Sequence, residues 1–304
     1  MDAGTPQFLS SNNHVSLSNG ETIFYRQSGD AEKPCMVLVH GNMMSSRGYH
    51  RVIPGLEADY KIFAPDLRGF GRSSYNSSFN SLEELADDLE DFAKQLDLGQ
   101  IFLVGWSLGG GVAMKWAARN PQRIKKLILT HPVGASGLGV MRKAADGTPT
   151  KVRMQSLEEL SRDPFTCSAI AAVENKNTEM IKGMFKGGIF TGKIIPSDEE
   201  LQAIAEESCL QRSLAEATWS LNTFNITNKS NGVVEGNEDA SKITTDTLII
   251  AGRKDIICSV DSLTELKSIL GDNASLKIFE ESGHSCFDDA TTQTIDLFKQ
   301  FFSQ

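Results

Sequence analysis

Short apolar runs alternate with amphipathic stretches over much of the chain, and this pattern predicts the class of fold. A hairpin over 15–25, with Asn19-Gly20 in its turn, comes first. Six later runs have the length and composition of buried strands: 36–39, 60–64, 101–104, 126–129, 247–251 and 275–279. The spacing of apolar positions predicts helices over 47–57, 82–96, 108–119 and 290–302. Strands that alternate with helices form a mostly parallel sheet with helices on both faces, so we expect an α/β fold.

The segment between the fourth and fifth of these runs has a different pattern. Residues 134–243 contain one helical stretch after another and no run typical of a strand. The helices predicted there cover 156–162, 177–186, 198–208 and 210–221. We interpret this segment as a helical cap inserted into a core that is built from residues 1–133 and 244–304. Such a cap lies over the edge of the sheet at which the parallel strands end.

Composition and charge narrow the classes of partner. The chain has 304 residues, of which 40% are hydrophobic, and this is enough for a sizeable core. Its net charge of −9, with Lys and Arg scattered, argues against nucleic acid or an anionic membrane as the main partner. No apolar stretch approaches the roughly 20 residues that cross a bilayer. The start, 1–6, has no feature of a secretory signal.

The five cysteines are widely spread and show no spacing typical of metal ligands. We therefore expect reduced thiols, a cytoplasmic location and no metal ion. The sequence leaves the oligomeric state open.

The run 101–104 ends in a motif that carries chemistry. It leads into Gly105-Trp106-Ser107-Leu108-Gly109, and a helical pattern follows directly. A strand, a tight turn with serine and then a helix form the context of a nucleophile elbow. Glycine is needed on both sides because a side chain there would keep the strand and the helix apart. Ser107 is therefore the candidate nucleophile.

A serine nucleophile needs a base, and His284 is the candidate. It follows the last predicted strand and precedes the last predicted helix, a loop from which a base can reach the elbow. The other histidines lie in the N-terminal arm, on the first helix of the core, in a glycine turn and just before the cap: His14, His50, His40 and His131.

The acid that orients this base is expected at a strand end between Ser107 and His284 in the chain. Asp255 lies just past the strand 247–251 and meets that requirement. Asp246 precedes the same strand and so lies at the opposite edge, while Asp261 begins the next helix. Asp255 is therefore the candidate acid.

The developing oxyanion also needs hydrogen-bond donors. The backbone N–H of Leu108 supplies one, and the N–H of Asn42 in His40-Gly41-Asn42 supplies the second. We further expect three residues beside these groups to contact a substrate: Met43, Trp106 and His131.

The order Ser107, Asp255, His284, with His40-Gly41-Asn42 upstream, resembles the α/β-hydrolase family. The loop 66–73, Asp-Leu-Arg-Gly-Phe-Gly-Arg-Ser, matches a further motif of that family. The resemblance runs from about residue 13 to the C-terminus except for the cap, and it implies that no cofactor is used. The chain is similar to the capped carboxylesterases and lactonases within the family. One departure is the loop after His284, which lacks a proline often found there.

These observations lead to a functional hypothesis with stated alternatives. We expect a serine hydrolase that cleaves a small to medium carboxylic ester or lactone with an apolar acyl part. Carbon–carbon bond hydrolases and perhydrolases use the same three residues and remain alternatives. A ligand-binding receptor with little turnover is the alternative from a different class.

Overall fold

A computed structural model describes residues 12–144 and 146–304 of the chain. The prediction made for residues 1–6 lies outside them. The strands in the described residues are, in chain order, β1 (Asn13–Ser16), β2 (Thr22–Ser28), β3 (Cys35–Val39), β4 (Lys61–Pro65), β5 (Ile101–Trp106), β6 (Ile124–Thr130), β7 (Met141–Lys143), β8 (Pro149–Arg153), β9 (Thr247–Gly252) and β10 (Ala274–Phe279).

Eight of these strands form one sheet in the order β1-β2-β4-β3-β5-β6-β9-β10. Strands β1 and β2 form the predicted hairpin, and β2 pairs with β4 in antiparallel orientation. All the other pairs in this sheet are parallel, from β4 and β3 to β9 and β10. The prediction of a mostly parallel sheet is confirmed.

Helices cover both faces of the sheet. Since successive side chains of each strand point to opposite faces, each strand contributes to two apolar clusters. In β3, Val37 and Val39 belong to one apolar cluster, while Met36 and Leu38 belong to the other. The first cluster includes side chains of the helices Leu82–Gln95, Leu108–Arg119 and Val260–Leu270. The second cluster includes Phe298 and Phe302 of the C-terminal helix. The predicted arrangement of helices on both faces is therefore confirmed.

Local signals in the sequence explain several of the helix boundaries. Ser81 precedes one helix and accepts a hydrogen bond from the N–H of Glu84, which is the usual N-cap contact. Ser197 and Glu200 form a reciprocal capping box at another. The α-helices in the described residues are Ile53–Leu56, Leu82–Gln95, Leu108–Arg119, Leu157–Leu160, Pro164–Glu174, Thr178–Gly188, Asp198–Ser208, Leu214–Thr223, Val260–Leu270, Cys286–Asp289 and Thr291–Ser303.

The helix predicted over 47–57 is wrong as one element. The structure has a 3-10 turn at Ser46–Tyr49 and a separate short helix at Ile53–Leu56. Pro54 has no N–H to donate to the carbonyl four residues earlier, so a continuous helix loses a bond at that position.

The chain between β6 and β9, called here the inserted segment (residues 131–246), contains five of the helices. It also contains β7 and β8, which pair as an antiparallel ribbon, so the prediction of no strand in this segment is wrong. Both strands are short and mostly exposed, and for that reason they lack an apolar pattern. Gly147 in the connecting turn has φ of 84°, a backbone conformation that favours glycine.

The strand order places a crevice at one edge of the sheet. The chain passes from β3 to β4 on one side of β3 and then to β5 on the other side. In open α/β sheets, the carboxyl ends of strands at such a reversal are where ligands bind. Ser107 follows β5 and His40 follows β3, so both lie at this crevice. None of the helices in the described residues combines the length and the apolarity needed to cross a membrane.

Candidate active site

Ser107 lies in a strained turn between β5 and the helix that begins at Leu108. Its backbone has φ of 55° and ψ of −116°, a conformation that a non-glycine residue rarely adopts. A Cβ on Gly105 would lie 2.4 Å from the carbonyl oxygen of Gly109, and one on Gly109 would lie 2.1 Å from that of Val39. Only glycine fits at both positions, so the strand and the helix can approach each other as closely as a nucleophile elbow requires.

Asp255 and His284 follow the two neighbouring strands β9 and β10. Nδ1 of His284 lies 2.7 Å from Oδ2 of Asp255, and both residues are buried. The second oxygen, Oδ1, accepts the backbone N–H groups of Ile257 and Cys258 at 2.8 and 2.9 Å. Burial alone would raise the pKa of Asp255, but the charge of His284 and the hydrogen bonds from His131 and His284 hold that pKa well below its usual range. The acid is therefore ionised and its orientation is fixed.

His131 is a second histidine on the same carboxylate. Its Nδ1 lies 3.2 Å from Oδ2 of Asp255, and its Nε2 accepts the backbone N–H of Cys286 at 3.1 Å. Because a backbone N–H can only donate, Nε2 is unprotonated and Nδ1 carries the proton. Burial lowers the pKa of His131, against the hydrogen bond to Asp255, which raises it.

Both ring nitrogens of His131 are thus engaged within the protein, and the residue has no exposed surface. We expected His131 to contact a substrate, and the structure instead places it behind the acid. No sequence signal pointed to this role, since the contact joins residues 124 positions apart.

Trp106 also differs from its expected role. It is 2% exposed, and its indole N–H donates to the backbone carbonyl of His284 at 2.8 Å. A Cβ on Gly48 would lie 2.9 Å from the Trp106 ring, so the ring is tightly enclosed. Trp106 therefore supports the loop of His284 and offers no free N–H to a substrate.

The loop after β3, residues 40–45, is called here the oxyanion loop because of the donor role expected for Asn42, and it lies against Ser107. A Cβ on Gly41 would be 3.1 Å from Cβ of Ser107 and 3.7 Å from its Oγ. His40 is fully buried and holds the loop in place, because its Nε2 accepts the N–H of Leu67 at 3.0 Å. Within residues 12–144 and 146–304, the N–H of Asn42 has no acceptor. The N–H of Leu108 belongs to the first turn of a helix, where such groups have no partner inside the helix.

The N–H of Met43, by contrast, is occupied. It lies 3.0 Å from Oδ1 of Asn42 and 3.1 Å from Oε1 of Gln211, and Met43 has φ of 57°. Only the half-buried side chain of Met43 is left for the substrate contact that we expected. Gln211 belongs to the inserted segment, and no pattern in the sequence indicates that it reaches this loop.

Two groups of the site have no hydrogen bond in the described part of the chain: Oγ of Ser107 and Nε2 of His284. Catalytic hydrogen bonds are often unformed until a substrate binds. The free Nε2 of His284 distinguishes it from His131, whose two nitrogens are both used.

His131, Asp255 and His284 are also residue types that bind metal ions, and their ligand atoms lie within 4.8 Å of one another. The contacts of Asp255 with the two rings have the lengths of hydrogen bonds, and each is directed at a protonated Nδ1. We therefore interpret this cluster as a hydrogen-bond network.

The inserted segment contacts the loop of His284 as well as the oxyanion loop. The N–H of His284 donates to the carbonyl of Ile189 at 3.1 Å, and the N–H of Ile194 donates to Oδ1 of Asp289 at 2.7 Å. Oδ2 of Asp289 accepts the N–H of Gly283 at 2.9 Å. The inserted segment is thereby bonded both to the loop after β3 and to the loop of His284.

Cavity size does not identify the site. One cavity of about 770 Å³ is lined by Arg153 and the loop 226–231, and another of about 470 Å³ is lined by Ile170, Cys209 and Gln211. Neither lining includes Ser107 or His284. The chemical groups at the crevice of the sheet are the better guide to function.

Known proteins share this fold and parts of this sequence. Residues 34–155 match the family model described as the alpha/beta hydrolase fold. The chain is 35% identical to an uncharacterised protein of Mycobacterium tuberculosis over 103 residues, 34% of this chain and 30% of that protein. It is 24% identical to Lipase 1 of Psychrobacter immobilis, over 95% of this chain and 83% of that protein. An esterase from Exiguobacterium antarcticum has a similar structure, with a TM-score of 0.74, 23% identity, and coverage of 96% and 99% of the two chains.

Proposed function

From the match of residues 34–155 to the alpha/beta hydrolase fold model, we propose that the chain is an α/β-hydrolase and, within that family, a serine hydrolase that cleaves a small to medium carboxylic ester or lactone. The observation that carries the proposal is the 2.7 Å contact between His284 and the ionised, buried Asp255, formed at the crevice where the strained Ser107 stands. An acid, an imidazole with a free Nε2 and a hydroxyl are the groups that acyl transfer needs.

The proposed reaction follows from the position of each group. Nε2 of His284 takes the proton of Ser107 as Oγ attacks the carbonyl carbon of the substrate. The N–H groups of Asn42 and Leu108 hold the oxyanion, which is closer to them in the tetrahedral intermediate than in the ground state. Collapse of the intermediate transfers a proton from His284 to the departing alkoxide and leaves an acyl group on Ser107. Water, deprotonated by His284, then releases the carboxylic acid.

We further propose that residues 134–243 act as a lid over this site and that the acyl part of the substrate is apolar. One apolar cluster extends from the sheet face at Trp106 into the inserted segment, through residues such as Phe185 and Leu214. Apolar walls of this kind favour an acyl chain over a charged group. The five cysteines are all free, which supports our inference of a reducing compartment, the cytoplasm.

The test is turnover of p-nitrophenyl esters with acyl chains from C2 to C12 by the wild type and by Ser107→Ala. We expect the variant to lose about 10⁴-fold or more in kcat, since the covalent step is removed. Ser275→Ala, at an exposed position of β10, is the matched control and should keep full activity. The chain length with the highest kcat/KM measures the acyl pocket.

Two outcomes change the proposal in different ways. Full activity in Ser107→Ala overturns the serine mechanism. If no ester or lactone is turned over although a fluorophosphonate labels Ser107, the nucleophile stands and the substrate class is wrong. Carbon–carbon bond hydrolase and perhydrolase substrates are then the next to assay.

A further inference from the structure

We propose that Gln211 of the inserted segment is a positioning residue for the oxyanion loop, so that the oxyanion donors are in place only when the inserted segment is. This inference rests on the proposed function. It adds a residue outside the core of the fold to the groups on which the reaction depends.

Gln211 uses both ends of its side-chain amide on the oxyanion loop. Its Nε2 donates to Oδ1 of Asn42 at 3.0 Å, and its Oε1 accepts the N–H of Met43 at 3.1 Å. The residue is 4% exposed, so water does not compete freely for these bonds. A two-point contact fixes direction as well as distance. Gln211 therefore orients the two residues that follow Gly41, and Asn42 is the one whose N–H is the proposed donor.

The backbone conformation of Met43 depends on this contact. Met43 has φ of 57°, in the left-handed region that a non-glycine residue occupies at a cost. Such a conformation persists only when its surroundings hold it. Without Gln211, the N–H of Met43 keeps a single acceptor, the side chain of its own neighbour Asn42. Relaxation of Met43 would turn the peptide units beside it and move the N–H of Asn42 away from Ser107.

Neighbouring residues fix the inserted segment to the same loop. Oγ of Ser208 donates to the carbonyl of Met43 at 2.5 Å, and Oε2 of Glu207 accepts the hydroxyl of Ser45 at 2.5 Å. Glu207 also forms an ion pair of 2.6 Å with the buried Arg26. These contacts hold the backbone near Gln211 in a fixed place relative to the core. Gln211 can therefore transmit the position of the inserted segment to Asn42.

The expected kinetic signature follows from where an oxyanion donor acts. Its contact strengthens only as charge develops on the carbonyl oxygen, so displacing it lowers kcat and leaves KM nearly unchanged. Removal of a whole donor costs about 10²- to 10³-fold. A displaced donor keeps part of its effect, and we expect Gln211→Leu to lose about 10- to 100-fold in kcat.

The experiment compares Gln211→Leu, Gln211→Glu and Gln202→Leu with the wild type. Gln211→Glu keeps an acceptor for the N–H of Met43 and should recover part of kcat. Gln202 is the matched control: it lies in the helix Asp198–Ser208, and its amide bonds stay within the inserted segment, to Thr178 and Glu206. The readouts are kcat, KM, thermal stability and the rate at which a fluorophosphonate labels Ser107, which also depends on the oxyanion donors.

A drop in kcat and in labelling rate for Gln211→Leu, with unchanged KM and with Gln202→Leu like the wild type, supports the inference. Wild-type kcat in a folded Gln211→Leu overturns it, and so does a change confined to KM, which would make Gln211 a substrate contact. If Gln211→Leu does not fold, Gln211→Glu is compared with the wild type. It lacks the N–H that bonds Oδ1 of Asn42, so wild-type kcat and labelling rate overturn the inference, and a partial loss of both with unchanged KM supports it. A wild type that neither turns over substrate nor is labelled at Ser107 overturns the proposed function. Failure of the inference alone is seen instead as a Gln211 variant that behaves like an active wild type.

Discussion

Asp255 accepts hydrogen bonds from two histidines, and one substitution made at both positions should tell their roles apart. His284→Asn and His131→Asn each keep a side-chain N–H that can reach the carboxylate, and each removes Nε2. At His284 the lost nitrogen is the one with no hydrogen bond in the described residues, which we propose takes the proton of Ser107. At His131 the lost nitrogen accepts only the N–H of Cys286.

The expected magnitudes differ by orders of magnitude. His284→Asn removes the base, and we expect kcat to fall by about 10⁴-fold or more. His131→Asn leaves Asp255 with the N–H groups of His284, Ile257 and Cys258, so we expect kcat within about 10-fold of the wild type. Its cost is in stability, because the buried N–H of Cys286 loses its acceptor, which destabilises by about 1–3 kcal/mol.

The pH dependence of stability gives an independent check. Burial lowers the pKa of His131 in the folded protein, so below the unfolded value of about 6.5 the unfolded chain takes up the proton first. The stabilisation that neutral His131 provides is therefore complete above about pH 6.5 and is lost as the pH falls through its folded pKa. The difference in unfolding free energy between the wild type and His131→Asn should shrink from pH 7.5 to pH 5.5.

The assay is kcat on the best ester of the p-nitrophenyl series, with urea unfolding at the two pH values. Equal losses of kcat in the two variants would refute the assignment of His284 as the base. So would a His284→Asn variant that retains more than about a hundredth of the activity.

Two further predictions concern stability. A Cβ on Gly109 would lie 2.1 Å from the backbone oxygen of Val39, so we expect Gly109→Ala to lower the free energy of unfolding in urea by about 3 kcal/mol or more. A Cβ on Gly187 would have nothing within 4 Å, so Gly187→Ala should raise that free energy by about 0.5–1 kcal/mol. Equal effects of the two substitutions would contradict this reasoning. Burial would raise the pKa of Glu207, but the charge of Arg26 and hydrogen bonds lower it, so its stabilisation is present above about pH 4.3 and lost as the pH falls through the folded pKa. Glu207→Gln, which leaves Arg26 buried without its counter-charge, should cost about 3–5 kcal/mol at pH 7 and less near pH 3, and a pH-independent difference would argue against the ion pair.

The parts of the fold that the sequence predicts are those with local signals. The buried strands are apolar on both faces, and the turn at Ser107 needs glycines that only a close strand–helix contact explains. The ribbon of β7 and β8 was missed because exposed strands carry no apolar pattern, although Asp146-Gly147 is a recognised hairpin turn. The helix at Pro164–Glu174 was missed for another reason, since its apolar residues are spread around the helix and mark no single face, although Asp163 caps it.

Some residues of the site could likewise be predicted from local signals in the sequence, and others could not. Ser107, Asp255 and His284 could be proposed because each follows a strand, and the ends of parallel strands meet at one edge. The contacts of His131 and Gln211 could not, because they depend on which nitrogen faces which oxygen across distant parts of the chain. Gln211 lies where a helix was predicted over 210–221, but the helix begins at Leu214, and the residues before it are free to bond to the core.

The order of strands in the sheet also has a consequence for how the protein acquires its site during synthesis. The strands from β1 to β6 form a contiguous block within the sheet, and the elbow and the oxyanion loop lie in the chain between these strands. The proposed acid and base follow β9 and β10, which join the free side of that block only after the inserted segment has emerged. Contacts between distant parts of a chain form slowly. We therefore expect a nascent chain to hold its nucleophile early and without a base, and to become reactive only when its last two strands have docked.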